Sequence, residues 1–226
     1  MQEGGNRYTL IDDHALIAMC AENDMQAFEA LVTRYEKKVI AAAYRLSGNR
    51  EEGEDLAQES FIKAWRALPG YRGQASFATW LTTILTNLWR DRLRKNQIRQ
   101  ESLDEAIEGE EGPIQKQLRD EKPDPEEEAE SREVTQVLGR MLQELKPEYK
   151  EVLILRDVQG FSYEEVAAIT GNNLGTVKSR INRGRTLVKD MVMAYQEQNP
   201  GFFRLNQTKK GKAPAIKAEG GVPREG

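Results

Sequence analysis

The stretch SYEEVAAITGNNLGTVKSRINRGR, residues 162–185, narrows the possible folds more than any other part of the chain. Ser162 followed by Glu165 has the spacing of a capping box, in which each side chain bonds the other's backbone N–H at a helix start. A short helix, SYEEVAAIT, leads into the turn GNN, and a longer helix starts at LGTVKS. This is the layout of a helix-turn-helix. In the second helix Val177, Ile181, Gly184 and Val188 recur at spacings of four, three and four, which marks one buried face. Gly184 on that face allows close approach to a neighbouring helix. Lys178, Asn182, Arg185 and Lys189 lie on an adjacent face, flanked by Ser179 and Arg183.

A helix anchored on one side and basic on the other fits the DNA major groove. Lys and Arg there pair with phosphates or with guanine O6 and N7, and Asn182 and Ser179 are able to read base edges. The competing reading is a solvated basic helix with no ligand, but the complete motif around it favours DNA. GNNLGTVKS is not a phosphate-cradling loop, because Lys178 follows Gly175 by three residues and the G-x-x-x-x-G-K-[ST] spacing is not met.

That basic helix belongs to a chain of 226 residues with a formal net charge of −4. Residues 100–133 hold 14 acidic and four basic side chains, so the remainder is mildly basic. The acidic segment has almost no aromatic or β-branched residues and cannot bury enough apolar area to offset its ordering entropy. It reads as a linker, residues 97–132, between helical domains at 12–96 and 133–195, with a tail lacking fixed structure at 196–226. The expected fold class is therefore all-α, two small helical domains joined by an acidic flexible linker. No apolar run is long enough to span a membrane, so no membrane insertion is expected. The N-terminus lacks the pattern of a secretory signal. Cys20 and His14 are the only residues of their kinds, too few for a disulfide or a protein zinc site. The expectation is a cytoplasmic protein with no cofactor.

Ahead of the linker, Phe28, Leu31, Val32, Tyr35, Val39 and Ala42 share one helix face that Gly48 closes. Leu56, Ala57, Ser60, Phe61, Ala64 and Leu68 form a second stripe, stopped by Pro69-Gly70. The next helix is capped by Ser76 and buries Phe77, Trp80, Leu81, Ile84 and Leu88. Its other face carries Thr79, Thr83, Thr86, Asn87, Arg90 and Arg94. Three threonines and an asparagine are mediocre helix formers, and a merely solvated face is better served by Glu, Lys or Ala. Hydrogen-bonding side chains followed by arginines suit a polyanion with readable bases. After the linker, Pro147 sits at a helix start and Gly160 at a helix end.

Three segments, DLAQESFIKAWRAL, YRGQASFATWLTTILTNLWRDRLR and LKPEYKEVLILRDVQGFSYEEVAAITGNNLGTVKSRINRGR, occur in an order that resembles the extracytoplasmic-function (ECF) RNA polymerase sigma factors of the sigma-70 superfamily. The resemblance covers roughly residues 25–96 and 133–192. It implies a protein that binds core RNA polymerase, directs it to promoter DNA and helps melt the duplex. It assigns Asp55, Gln58, Phe61, Ile62 and Trp65 to the polymerase, with Phe61 also serving the core. It assigns Gly73, Ser76, Thr83, Asn87, Arg90, Arg92 and Arg94 to the −10 element. Asn87 falls where an extruded base is recognised, and the arginines hold the strand backbone. Thr176, Lys178, Ser179, Arg180, Asn182 and Arg183 match the positions that read the −35 element. Relatives often carry a proline where this chain has Asn173, which tolerates a left-handed conformation and so preserves the turn. The resemblance also implies an anti-sigma partner.

A stand-alone helix-turn-helix regulator is the alternative, but such proteins usually dimerise on palindromic sites. No dimer helix is evident, so a monomer is expected when free of polymerase. No nucleophile–base pair, metal cluster or nucleotide loop points to an enzyme.

Overall fold

A computed structural model describes residues 8–103, 125–200 and 202. Every regular element among them is helical: α1 (Asp13–Ala21), α2 (Met25–Ser47), α3 (Arg50–Ala67), α4 (Phe77–Leu103), α5 (Pro125–Glu144), α6 (Pro147–Leu153), α7 (Tyr163–Thr170) and α8 (Leu174–Gln198). A single turn, Leu68–Gly70, follows α3, and a π-helical turn, Ile154–Val158, extends α6. Both flanking helices run into the segment read as linker: α4 continues to Leu103, and α5 already begins at Pro125. The rest of that linker and the tail beyond Pro200, Phe202 excepted, lie outside the described residues. Among the described residues, no helix is long and apolar enough to cross a membrane.

Local chemistry explains most boundaries. Asn23 turns left-handed at φ 65°, and Asp24 then accepts from the N–H groups of Gln26 and Ala27, so α1 and α2 are separate helices. Gly48 is left-handed at φ 77°, and its N–H donates to the Tyr44 carbonyl at 2.8 Å. Pro147 opens α6 at a position where a missing N–H costs nothing. The capping box of α7 is present in full, Ser162 accepting from Glu165 N–H at 3.1 Å and Glu165 from Ser162 N–H at 2.8 Å.

Two apolar cores result. The first joins α1–α4 through Leu16, Leu31, Leu46, Leu56, Leu81 and Trp89. The second joins α5–α8 through Leu145, Val152, Leu153, Val166, Val177 and Ile181. Gly184 is buried against α6, where an added β-carbon would fall 2.9 Å from Leu153 Cδ1. The two cores touch. Ile154 belongs to the second module by sequence but is fully buried in the first core, and α7 lies along α4.

Candidate nucleic-acid interface

Three surfaces carry the residues singled out above. On α3, Asp55, Gln58 and Ile62 are exposed at positions i, i+3 and i+7, and so form one stripe. Ile62 keeps 49% of its surface in water, a large exposure for an isoleucine. Phe61 and Trp65 are half-buried, and Trp65 lies 4.9 Å from the Phe28 ring. They anchor the stripe to the core.

On α4 the polar face is not uniformly outward. Thr79 and Thr86 are buried, and Thr83 is half-buried. The Thr83 hydroxyl donates to the Thr79 carbonyl at 2.8 Å, and the Thr86 hydroxyl to the Thr83 carbonyl at 3.2 Å. Thr83 and Thr86 thus back-bond to their own helix, while the Thr79 hydroxyl meets the Ser76 hydroxyl at 2.8 Å and Glu165 of α7 at 3.3 Å. The reading of these threonines as one outward DNA-facing row is therefore corrected at Thr79, which Glu165 of α7 meets, and at Thr86, which is fully buried.

Asn87 does stay exposed. It borders a groove of about 410 Å³ between α3 and α4, lined by Lys63, Arg66, Ile84, Leu88 and Asp91. The groove has an apolar floor with amide, cationic and carboxylate groups at its rim, which suits a planar heterocycle with donors and acceptors on its edge. Sequence periodicity does not single out Lys63 and Arg66, since they belong to α3 and meet Asn87 only across the helix pair. Gly73, left-handed at φ 67°, and exposed Ser76 lie before α4. Ser76 Oγ accepts from the Thr79 N–H at 3.1 Å and so caps the helix.

Arg90, Arg92 and Arg94 of α4 do not share a face. Arg92 crosses to α3 and donates to Glu59 Oε2 at 2.9 Å, which holds the Glu59 carboxyl below its usual range. Arg90 reaches the second module, with Nη2 2.7 Å from Glu151 Oε1. Arg94 is exposed and pairs with Asp91 at 2.9 Å.

The third surface is α8. Asn173 is extended, not left-handed, at φ −71°. Its side chain accepts from the Thr176 N–H at 2.8 Å, so it serves as N-cap, while Gly171 at φ 66° supplies the left-handed residue. Lys178, Ser179, Asn182 and Arg183 are all exposed on the first turns of α8; Thr176 and Arg180 are half-buried. Arg185 is held by Asp157 of the π-helical turn, its Nε donating at 3.0 Å. The exposed basic side chains on the first turns are therefore Lys178 and Arg183, with the Ser179 hydroxyl and the Asn182 amide between them.

Two family models match the chain. The Sigma-70 region 2 family model matches residues 31–99, and the Sigma-70 region 4 model matches residues 135–188. The ECF RNA polymerase sigma-E factor of Salmonella typhimurium is 37% identical over 185 residues, 80% of this chain and 95% of that one. The chain belongs to the ECF sigma factors of the sigma-70 family. ECF sigma factor SigE of Mycolicibacterium smegmatis is 36% identical over 175 residues, 77% of this chain and 65% of that one. Among solved structures, the sigma factor RpoE in complex with the anti-sigma factor NepR from Bartonella quintana superposes with a TM-score of 0.60 at 26% identity, covering 75% of this chain and 98% of that one. CnrH in complex with the cytosolic domain of CnrY gives 0.58 at 25% identity, covering 80% and 97%. As an ECF sigma factor, the protein directs RNA polymerase to promoters.

Proposed function

We propose that the three surfaces divide the work of promoter recognition. The α3 stripe of Asp55, Gln58 and Ile62 engages core polymerase. The groove beside Asn87 receives a base extruded near the −10 element, with Gly73 and Ser76 before it and Arg90 and Arg94 along the strand. The first turns of α8 read the −35 duplex, Lys178 and Arg183 meeting phosphates or guanines, and Ser179 and Asn182 meeting base edges. Arg92 is left out of the strand contacts, because Glu59 holds it on α3.

The observation that carries this reading is the exposed Asn87 at the rim of an apolar groove. Extruding a base costs a few kcal/mol, and a pocket that stacks and hydrogen-bonds the base recovers it. The chain supplies binding energy only; nucleotidyl transfer belongs to the polymerase. An anti-sigma partner is part of the proposal, supported by the complexes in which both solved relatives are found.

The test is transcription and core-polymerase binding by two variants. Asn87→Ala should impair promoter opening while leaving core binding intact. Arg183→Ala should weaken −35 duplex binding, reducing its salt dependence by about one phosphate contact. Equal loss of core binding and opening in Asn87→Ala would remove the base-reading role.

A further inference from the structure

By register Arg185 belongs to the reading face of α8. It follows Lys178 by seven residues, two helical turns, so the two side chains leave the helix in nearly the same direction. At about 1.5 Å per residue, Arg185 stands roughly 10 Å further along the axis. The DNA major groove is about 8.5 Å deep. A recognition helix touches base edges with its N-terminal residues, here Lys178 and Ser179, and that placement brings Arg185 to the level of the flanking phosphates.

Asp157 occupies that guanidinium. Arg185 Nε donates to Asp157 Oδ2 at 3.0 Å and its Nη2 donates to Oδ1, a two-pronged pair between residues 28 apart. Arg185 keeps 46% of its side chain in water and Asp157 keeps 37%, and exposed ion pairs contribute little to folding. The buried seat of α8 is made instead by Val177, Ile181 and Gly184. Asp157 reaches Arg185 from the π-helical turn Ile154–Val158, after which the Gln159 N–H donates to the Ile154 carbonyl, five residues back, at 2.9 Å. Single turns of this kind are frequent at functional sites.

The neighbouring cations are arranged differently. Arg156 is turned away from Asp157: its Nη1 donates to the Phe161 carbonyl at 2.7 Å, and its guanidinium lies 4.7 Å from the centre of the Tyr163 ring. Lys178 lies 6.0 Å from the same ring and, like Arg183, has no carboxylate partner among the described residues. Of the exposed cations from Lys178 to Arg185, Arg185 is therefore the one tied to an anion.

We infer that Asp157 withholds Arg185 from the DNA backbone and so limits the sequence-independent affinity of α8 for duplex. The ligand withheld is a backbone phosphate, which offers a guanidinium the same paired anionic oxygens as a carboxylate. Phosphate contacts position a protein on DNA but carry no sequence information, whereas Ser179 and Asn182 are placed to meet base edges. With one phosphate contact withheld, non-promoter duplex retains the chain less strongly. The inference rests on the assignment of α8 to the −35 duplex.

The experiment uses the full chain and a labelled mixed-sequence duplex of about 20 base pairs, with fluorescence anisotropy read from about 50 to about 200 mM salt. Asp157→Ala should bind tighter and steepen the log–log salt slope by about 0.9, the mark of one added phosphate contact. Its advantage over wild type should then be about 3.5-fold larger at the low end of that salt range than at the high end. In an Arg185→Gln background the same change should leave the slope unaltered. An unchanged or shallower slope in Asp157→Ala overturns the inference, and so does equal steepening without Arg185. Should Asp157→Ala not fold, Arg185→Gln alone decides. Its slope should match wild type, and a slope shallower by one contact would put Arg185 on the DNA already and overturn the inference. Arg183→Ala, run alongside, should flatten the slope by about one contact. A wild-type slope there takes down the assignment of α8 and the inference with it, whereas flattening there with no change in Asp157→Ala sinks the inference alone.

Discussion

The backbone of Gly53 lies against that of Tyr44 so closely that a β-carbon on Gly53 would fall 2.8 Å from the Tyr44 Cα and 2.9 Å from its nitrogen. Here α2 and α3 cross, making the most extensive helix contact among the described residues. Alanine in a helix interior normally gains about 1 kcal/mol over glycine. At this position the obstacle is backbone, which no rotamer change relieves. Gly53→Ala should therefore destabilise by about 1–3 kcal/mol, as overpacking does. Thermal melting should show a loss of roughly 2–12 °C for a chain of this size. An unchanged or raised midpoint would show that the two helices slide apart without cost.

Gly184 is the milder case. The atom its β-carbon would meet is Leu153 Cδ1, the end of a side chain, though one only 4% exposed. Helix propensity and overpacking oppose each other here, leaving a net loss of about 1 kcal/mol. Gly184→Ala should melt a few degrees lower, less than Gly53→Ala. It should also weaken −35 duplex binding more than core-polymerase binding, because Leu153 sets the seat of α8. A melting loss larger than that of Gly53→Ala would count against this ranking.

Those two glycines show where the sequence is readable. Gly184 falls on a face marked by Val177 and Ile181, so its close approach is legible from periodicity. Gly53 sits within the acidic run EEGEDL, where no pattern distinguishes a crossing point from a solvated turn. Caps and turns at Gly48, Ser162 and Pro147 are legible because their partners lie within five residues. The burial of Thr79 is not, since its partner Glu165 is 86 residues away. Nor is the diversion of Arg92 to Glu59, 33 residues back, which splits the arginines across faces. The fold and family are thus open to reading, while the fine division of the DNA surface depends on tertiary contacts.

Cys20 gives a chemical prediction. Burial, and then the nearby Asp24 carboxylate, push its thiol up to about 11. For an acid a raised pKa means the neutral form persists, so at pH 8 only about one thiol in a thousand is the reactive thiolate. In the unfolded chain, near an ordinary cysteine value, roughly a quarter is ionised at that pH. Alkylation by iodoacetamide should accordingly be on the order of a hundredfold slower in the native protein than in denaturant. Comparable rates would mean that α1 opens readily and that Cys20 is accessible to oxidants.

The α3 stripe yields the last prediction. Ile62 is 49% exposed between Asp55 and Gln58 on one side and the half-buried Trp65 on the other. An apolar side chain on a polar helix face contributes little to folding, and substitutions at such positions usually change stability by less than about 0.5 kcal/mol. In a protein interface the same residue is a candidate anchor, where truncation costs more than about 1 kcal/mol. Ile62→Asp also sets a carboxylate one helical turn from Glu59 and so repels any acidic or apolar partner surface. Its dissociation constant for core polymerase should rise about tenfold or more. Its melting temperature and its binding to −35 duplex should stay at wild-type values. A fall in melting temperature would place Ile62 in the folding core, and unchanged polymerase affinity would move the polymerase contact off this stripe of α3.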